Sequence, residues 1–223
     1  MEIKNQKNLK LELLNMAPHF TNSVLVSHGN KCIIFDAWGR AQDWIRLLHE
    51  RNLELLAIYS THGHPDHISA APDLVLSTGA KWFLNNADFN LIGWGDELLN
   101  EFGLPPITRD IVPTAMPEHK TTIFNDINMD IISCPGHTCG GVAFYIRDLG
   151  TCIVGDTIFA DSIGRTDLPG GDTQTLKKSI LHLYEQNMPD DTIIIPGHDN
   201  ITNIATLKKH NPYFKLAIKS RAR

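Results

Sequence analysis

The sequence lacks any apolar run that could cross a membrane. Over its 223 residues, no stretch approaches the ~20 consecutive apolar residues that a spanning helix needs. The first fifteen residues, MEIKNQKNLKLELLN, hold no apolar core followed by a small-residue cleavage site, so they do not predict a signal peptide. We therefore expect a cytoplasmic protein that does not bind membranes.

Cysteine and positive charge are also scarce. The chain has four cysteines and none forms a C-x-x-C pair, which argues against a disulfide framework and favours reduced thiols. The formal net charge is −5, and the only basic concentration is the terminal KSRAR (219–223), which we interpret as a solvated tail. An acidic chain without a basic patch argues against nucleic acid as a partner.

A serine nucleophile in a G-x-S-x-G elbow is missing as well. Histidine, by contrast, is abundant, with 11 in the chain. Three of them and one aspartate fall within six positions of the segment YSTHGHPDHISA (59–70). Such crowding favours metal binding over a solvated loop, because histidine and aspartate are common ligands of divalent metals.

Along the chain, short apolar segments alternate with segments whose apolar residues recur at helical spacing. Residues 22–38 predict a hairpin that turns at Gly29-Asn30, and residues 40–52 predict an amphipathic helix. A helix over 66–80 is expected to weaken or kink at Pro72. Further strands are predicted at 53–60, 80–86, 127–134, 141–147, 151–155 and 191–197.

The second half of the chain predicts two more helices. One covers 171–187, with Asp172 or Thr173 as its N-cap, and the last covers 200–211. Residues 85–120 are interpreted as irregular. The strands thus fall into two groups with helices between and after them, which fits two sheets flanked by helices in an α/β protein. We expect a single domain over 1–223.

Four segments share one local design, in which an apolar strand runs into a glycine beside a histidine or aspartate. Because strands of one sheet often deliver their carboxyl ends to the same edge, we expect these side chains to meet there. The segments are LLAIYSTHGH (55–64), IISCPGH (131–137), CIVGD (152–156) and IIIPGH (193–198).

The first segment offers two pairs of ligands. His62 and His64 are two positions apart, so in extended backbone both rings project to one side. Pro65 suits the first position of a helix, which places Asp66 and His67 in its first turn. Two displaced pairs indicate two metal ions rather than one.

The complete set of candidate ligands is also too large for one ion, which commonly takes three or four protein ligands. It fits two ions that share a carboxylate, and Asp156 is the natural bridge because a carboxylate offers two oxygens. The candidates are His62, His64, Asp66, His67, His137, Asp156 and His198.

The motifs THGHPDH, PGHT, GD and PGH, in this order, resemble the metallo-β-lactamase superfamily over essentially the whole chain. The resemblance implies a four-layer αββα sandwich of two mixed β-sheets flanked by helices. It also implies that Asp156 bridges two metals and that Asp36, in IIFDAW, helps to orient the site. The implied ligands are His62, His64 and His137 for the first metal, and Asp66, His67 and His198 for the second.

Within that superfamily, the segments GDTIFADSIGRTDLPGGD (155–172) and KKHNPYF resemble the glyoxalase II (hydroxyacylglutathione hydrolase) group, in its short bacterial branch without the C-terminal helical domain. In the G-R-T-D element, Arg165 and Asp167 either close their own loop or shape the mouth beside Asp156. The chain departs from the branch at PGHTCGG, where Cys139 replaces the usual proline, and none of its departures removes a ligand.

The resulting hypothesis is hydrolysis of a thioester, S-D-lactoylglutathione or a related acyl-thiol, with a metal-bridging hydroxide as nucleophile. Asp66 is the catalytic residue because it can orient that hydroxide. The expected cofactors are two divalent ions, zinc first and iron or manganese as alternatives. The partner is a small-molecule thioester, and the protein is a monomer or small homo-oligomer.

Other functions use the same residues. A persulfide dioxygenase would hold one Fe(II) on His62, His137 and Asp156, which form two histidines and a carboxylate. A lactonase could use the complete ligand set. A metal-dependent structural or binding protein fits less well, because structural zinc sites are usually closed cages rich in cysteine.

Overall fold

The computed structural model describes residues 1–6, 8–18, 21–108 and 110–221. Its contacts divide the chain into two compact units, Met1–Met116 and Pro117–Arg223. Each unit carries one mixed β-sheet with helices and has a hydrophobic core of its own. The two predicted groups of strands are therefore confirmed, whereas a single domain over the whole chain stays a prediction.

The sheet of the first unit has seven strands in the described residues, arranged in the order of the sequence. The first four strands pair antiparallel with their neighbours, and the fourth to the seventh pair parallel, so the sheet is mixed. The predicted hairpin at Gly29-Asn30 is confirmed. The strands are β1 (Glu2–Gln6), β2 (Leu9–Leu14), β3 (Ser23–His28), β4 (Lys31–Phe35), β5 (Glu54–Tyr59), β6 (Lys81–Leu84) and β7 (Thr114–Ala115).

Helices connect the parallel strands of this sheet, as parallel pairing requires. The predicted helix over 40–52 is confirmed as α1, which buries Trp44 and Leu48. Those side chains pack in a core that also contains Trp38 and Trp82. The helices are α1 (Ala41–Glu50), α2 (Pro65–Ile68), α3 (Ala71–Thr78), α4 (Asp96–Glu101) and a 3-10 helix (Asn86–Leu91).

Two predictions for this unit need correction. The helix expected over 66–80 is two helices, and the break precedes Pro72, which occupies the first turn of α3 where its missing N–H costs nothing. The region 85–120 is also less irregular than expected. It contains the 3-10 helix and α4, whose Leu99 is buried in the core.

The sheet of the second unit is mixed as well. Its order is β13-β12-β11-β10-β9-β8, with β11 and β12 parallel and the other neighbours antiparallel. All four strands predicted in this half are confirmed. The strands are β8 (Lys120–Ile123), β9 (Ile127–Ser133), β10 (Val142–Ile146), β11 (Thr151–Gly155), β12 (Ile193–Pro196) and β13 (Thr202–Asn203).

Among the described residues, the helices of the second unit are α5 (Thr173–Glu185), α6 (Ile204–His210), α7 (Pro212–Arg221) and a 3-10 helix (Arg147–Leu149). Asp172 is the N-cap of α5, as predicted, because its side chain accepts from the N–H of Thr175. The helix expected to be the last, α6, is followed by α7, so 219–221 are helical rather than a tail, and 222–223 lie outside the described residues. Phe214 anchors α7 in the core.

The two mixed sheets flanked by helices confirm the expected fold class. Among the described residues, the longest helix has 13 residues, and none of the helices is long and apolar enough to cross a bilayer.

Candidate functional site

In the first unit, the loop after β5 places His62 and His64 side by side. Both are buried, and Nε2 of His62 lies 3.1 Å from Nδ1 of His64. Two nitrogens bound to one tetrahedral zinc ion would be separated by roughly 3.3 Å, given Zn–N distances of about 2.0–2.1 Å. The rings therefore converge as the extended spacing predicts, at a separation that suits a shared ion.

The second pair lies in α2, where Pro65 occupies the first turn. Oδ2 of Asp66 is 3.5 Å from Nε2 of His67, and both side chains are buried. The buried hydroxyl of Thr21 donates to the same Asp66 oxygen at 3.4 Å. The ligand atoms of His62 and His67 lie within 4.8 Å of each other, so the two pairs are adjacent.

Asp36 orients this group of side chains from the end of β4. Its buried carboxylate accepts from the backbone N–H of Thr61 at 2.7 Å, from the Thr61 hydroxyl at 2.8 Å and from Nδ1 of His67 at 2.9 Å. Its backbone is left-handed, with φ of 52°, and the Ser23 hydroxyl supports it by donating to the Asp36 carbonyl. Asp36 thus contacts both the loop before His62 and the ring of His67, and its role in orienting a metal site stays a prediction.

These hydrogen bonds also determine which ring nitrogen carries the proton. Because Asp36 can only accept, His67 holds its proton on Nδ1 and its lone pair on Nε2. The Thr61 hydroxyl gives its hydrogen to Asp36, so its oxygen is the acceptor for Nδ1 of His62 at 3.0 Å. Both histidines are therefore in the tautomer that offers Nε2 as a metal donor.

In the second unit, three strands deliver ligands to one edge of the sheet. β9, β11 and β12 run in the same direction, and His137, Asp156 and His198 follow their carboxyl ends. Oδ2 of Asp156 lies 3.5 Å from Nε2 of His137 and 3.5 Å from Nε2 of His198. One carboxylate oxygen thus faces both imidazoles, which suits a bridging ligand.

The G-R-T-D loop holds His137 in place. The carbonyl oxygen of Arg165 accepts from Nδ1 of His137 at 2.7 Å, which again leaves the lone pair on Nε2. Gly164 makes this approach possible, because a Cβ there would lie 1.9 Å from the Asp156 carbonyl oxygen and 3.1 Å from Nδ1 of His137. The loop therefore contacts His137 through its backbone.

The side chains of Arg165 and Asp167 close the loop on itself. The guanidinium donates two hydrogen bonds to the carboxylate, at 2.8 and 2.7 Å, and both groups are exposed. The hydrogen bond from Arg165 lowers the pKa of Asp167 to about 2, and the same contact raises the pKa of Arg165. The Arg165–Asp167 pair thus closes the G-R-T-D loop on itself, the first of the two alternatives that the sequence allowed.

Several residues that support the candidate ligands, directly or through Asp36 or Gly63, were not predicted from the sequence. Thr61 directly precedes His62 and could have been suspected from its position. Thr21 and Ser23 lie far from the ligand motifs in the chain, and no local pattern marks them. Asp88, which accepts from the N–H of Gly63 at 2.9 Å, lies in the region interpreted as irregular.

The donor atoms of the two sets of candidate ligands, one set in each unit, fit divalent metal ions. They are imidazole nitrogens and carboxylate oxygens, which suit zinc, iron and manganese. In each unit a histidine that offers Nε2 is held at Nδ1 by an acceptor, as metal-binding histidines are. Each group taken by itself therefore has the chemistry of a metal site.

Comparison with known proteins agrees with this chemistry. The family model of the metallo-beta-lactamase superfamily matches residues 16–198. Among curated proteins, the chain is 34% identical to the hydroxyacylglutathione hydrolase GloC of Haemophilus influenzae over 209 residues, which cover 92% of this chain and 98% of that protein.

Solved structures extend the similarity to three dimensions. The chain is 29% identical to the BLEG-1 B3 metallo-beta-lactamase, with a TM-score of 0.81 over 92% of this chain and 99% of that one. It is also 29% identical to TTHA1623, crystallised in a di-iron-bound form, with a TM-score of 0.78 over 91% of this chain and 99% of that one.

Proposed function

Because the chain belongs to the metallo-β-lactamase superfamily and is a metal-dependent hydrolase of that group, we propose that its substrate is a thioester. The observation that carries the proposal is the similarity to a hydroxyacylglutathione hydrolase over nearly the full length of both chains. S-D-lactoylglutathione or a related acyl-thiol is the proposed substrate. A cytoplasmic location is part of the proposal, and the four free cysteines support it.

The proposed centre binds two divalent ions, with zinc as the first choice. The equal distances from the Asp156 oxygen to His137 and His198 support Asp156 as the bridge. Iron remains an alternative because a similar structure contains two iron ions. His62, His64 and His137 are assigned to the first ion, and Asp66, His67 and His198 to the second.

When bound, such ions supply Lewis acidity and lower the pKa of a water molecule toward neutrality. The protein supplies orientation. Asp66, which accepts from the Thr21 hydroxyl at 3.4 Å, would accept a hydrogen bond from the attacking water and align it with the thioester carbonyl. Addition of water and cleavage of the C–S bond then yield a carboxylic acid and a thiol.

The experiment combines metal analysis with assays of thioester, β-lactam and lactone hydrolysis and of oxygen uptake, all on one sample. We expect about two metal ions per chain, hydrolysis of S-D-lactoylglutathione, and no oxygen uptake with glutathione persulfide. Hydrolysis of a β-lactam or a lactone in place of the thioester would overturn the substrate, and oxygen uptake with a single iron ion would overturn the hydrolase.

Variants of two aspartates identify the bridge. Asp156→Ala is expected to lose bound metal and nearly all thioester hydrolysis, because it removes the oxygen that faces two histidines. Asp190→Asn is the matched control, since its carboxylate is exposed and pairs with Lys208 on the surface of the same unit. An Asp156→Ala protein with two metals and full turnover would refute the assignment.

A further inference from the structure

A buried aspartate, Asp88, lies against the loop that carries His62 and His64. It belongs to the 3-10 helix Asn86–Leu91, and its side chain is 0% exposed. Burying a carboxylate costs free energy unless hydrogen bonds compensate for the lost hydration. Asp88 is not one of the proposed metal ligands, so its burial beside them calls for a separate explanation.

The Asp88 carboxylate holds Gly63, which is the residue between His62 and His64 in the chain. The backbone N–H of Gly63 donates to its Oδ2 at 2.9 Å. Hydrogen bonds to ionised acceptors are stronger than those between neutral groups. Because Gly63 joins His62 to His64, the orientation of its amide determines the direction in which both imidazoles project.

The same helix packs against the backbone of Gly63. A Cβ at position 63 would lie 2.9 Å from both the Cβ and the carbonyl oxygen of Asp88, and 3.2 Å from the Cβ of Leu91. The helix is itself fixed at its start, where the Asn85 side chain accepts from the N–H of Ala87 at 3.1 Å. The loop is therefore held against a defined support, through both packing and a hydrogen bond.

We propose that Asp88 is a positioning residue for the pair His62 and His64. Its carboxylate holds the Gly63 amide, so the ring nitrogens of the two histidines stay close together before a metal ion binds. Ligands ordered in advance bind more tightly, because the entropy of ordering them is not lost on binding. The inference rests on the proposed role of these histidines as metal ligands, but not on the identity of the substrate.

The first test uses the metal-free protein. In Asp88→Ala, the Gly63 amide loses its acceptor, and we expect its hydrogen exchange, measured by NMR, to be about 10-fold faster or more. Asp88→Asn keeps an oxygen at this position and is expected to restore most of the protection. Wild-type exchange at Gly63 in Asp88→Ala would overturn the proposal.

The second test measures zinc affinity by competition with a chelator. We expect Asp88→Ala to weaken zinc binding about 10- to 100-fold, as the loss of groups that orient metal ligands does, and Asp88→Asn to weaken it less. Should Asp88→Ala not fold, Asp88→Val replaces it, because its apolar side chain fills more of the buried site and offers the Gly63 amide no acceptor.

Leu91→Ala is the matched control. It removes buried apolar packing from the same helix but keeps both the carboxylate and the Leu91 Cβ that lies against Gly63, so it is expected to lower the melting temperature and leave zinc affinity unchanged. Equal losses of zinc affinity in Asp88→Ala and Leu91→Ala would reduce Asp88 to a packing role. Neither hydrogen exchange nor zinc affinity involves turnover. A wild-type protein that does not hydrolyse thioesters would therefore refute the proposed substrate without affecting this result.

Discussion

At the scale of single residues, histidines of both units share one arrangement, in which an acceptor binds Nδ1 and leaves Nε2 to face other ligands. For His67 the acceptor is the Asp36 carboxylate, and for His137 it is the carbonyl of Arg165. Substitution of Asp36 can remove the acceptor of His67, whereas no substitution of Arg165 removes its backbone carbonyl, which is the acceptor of His137. The backbone acceptor has to be displaced, and Gly164 is the residue through which that can be done.

Gly164→Ala is expected to weaken metal binding. The added Cβ would overlap the Asp156 carbonyl oxygen at 1.9 Å, so the loop must move and carry the Arg165 carbonyl away from His137. Loss of a group that orients a metal ligand typically costs about 10- to 100-fold in affinity. Chelator competition measures the change, and hydrolysis of the proposed thioester substrate should fall with it.

Gly29→Ala is the control for this variant. It has a positive φ of 61° in a hairpin turn, but nothing lies within 4 Å of the added Cβ. It should therefore lower stability by about 1–2 kcal/mol through backbone strain and leave metal affinity unchanged. Unchanged affinity in Gly164→Ala would show that the Arg165 carbonyl has no orienting role.

At the scale of elements, local patterns predicted the central strands, β3 to β6 and β9 to β12, because each is a short apolar run that ends at a turn or a polar loop. The strands β1, β2, β7, β8 and β13 were not predicted, because they are short or rich in polar residues. The helix α7 was missed because its basic end resembles a solvated tail, while its anchor, Phe214, is a single buried aromatic. The role of Asp88 could not be predicted, since its contact with Gly63 exists only in the folded chain. The anchoring of α7 and the role of Asp88 therefore depend on tertiary contacts, which a local sequence pattern does not show.

The junction between α6 and α7 provides the test at this scale. Asn211 is fully buried, its side-chain oxygen accepts from the N–H groups of Tyr213 and Phe214, and its NH₂ group donates to the carbonyls of Phe159 and Ser162. Asn211→Ala leaves these groups without that partner. At about 1–3 kcal/mol for each buried unsatisfied group, and with partial relaxation, we expect unfolding free energy to fall by about 3 kcal/mol in urea titrations.

Asn203→Ala is the comparison. The Asn203 side chain caps α6 through a single hydrogen bond from the N–H of Thr206 at 2.7 Å. Loss of such a cap costs about 1 kcal/mol. If Asn211→Ala proved no more destabilising than Asn203→Ala, the contacts to Phe159 and Ser162 would contribute nothing.

At the scale of the whole molecule, the fold class could be predicted from the order of the ligand motifs, although composition alone would allow other α/β arrangements. The division into two compact units could not, because no linker marks position 116 in the sequence. Each unit has its own core, and cysteines lie in both: Cys32 in the first, and Cys134 and Cys152 in the second.

The cysteines allow the integrity of both cores to be measured at once. Burial raises the pKa of Cys32 and Cys134 to about 12 and raises the pKa of Cys152 well above its usual value, whereas Cys139 is exposed. Because the thiolate is the reactive form, a disulfide reagent near pH 8 should modify one thiol rapidly in the folded protein and four in denaturant.

Cys139→Ser should abolish the rapid phase and leave the slow one, since the remaining thiols are in the two cores. The slow phase reports the opening of those cores, because neither ionisation nor access is available while they are closed. A second rapid thiol in the folded wild type would mean that one core opens readily under native conditions. Cys32→Ser and Cys152→Ser, compared in the same assay, would then identify which unit opens.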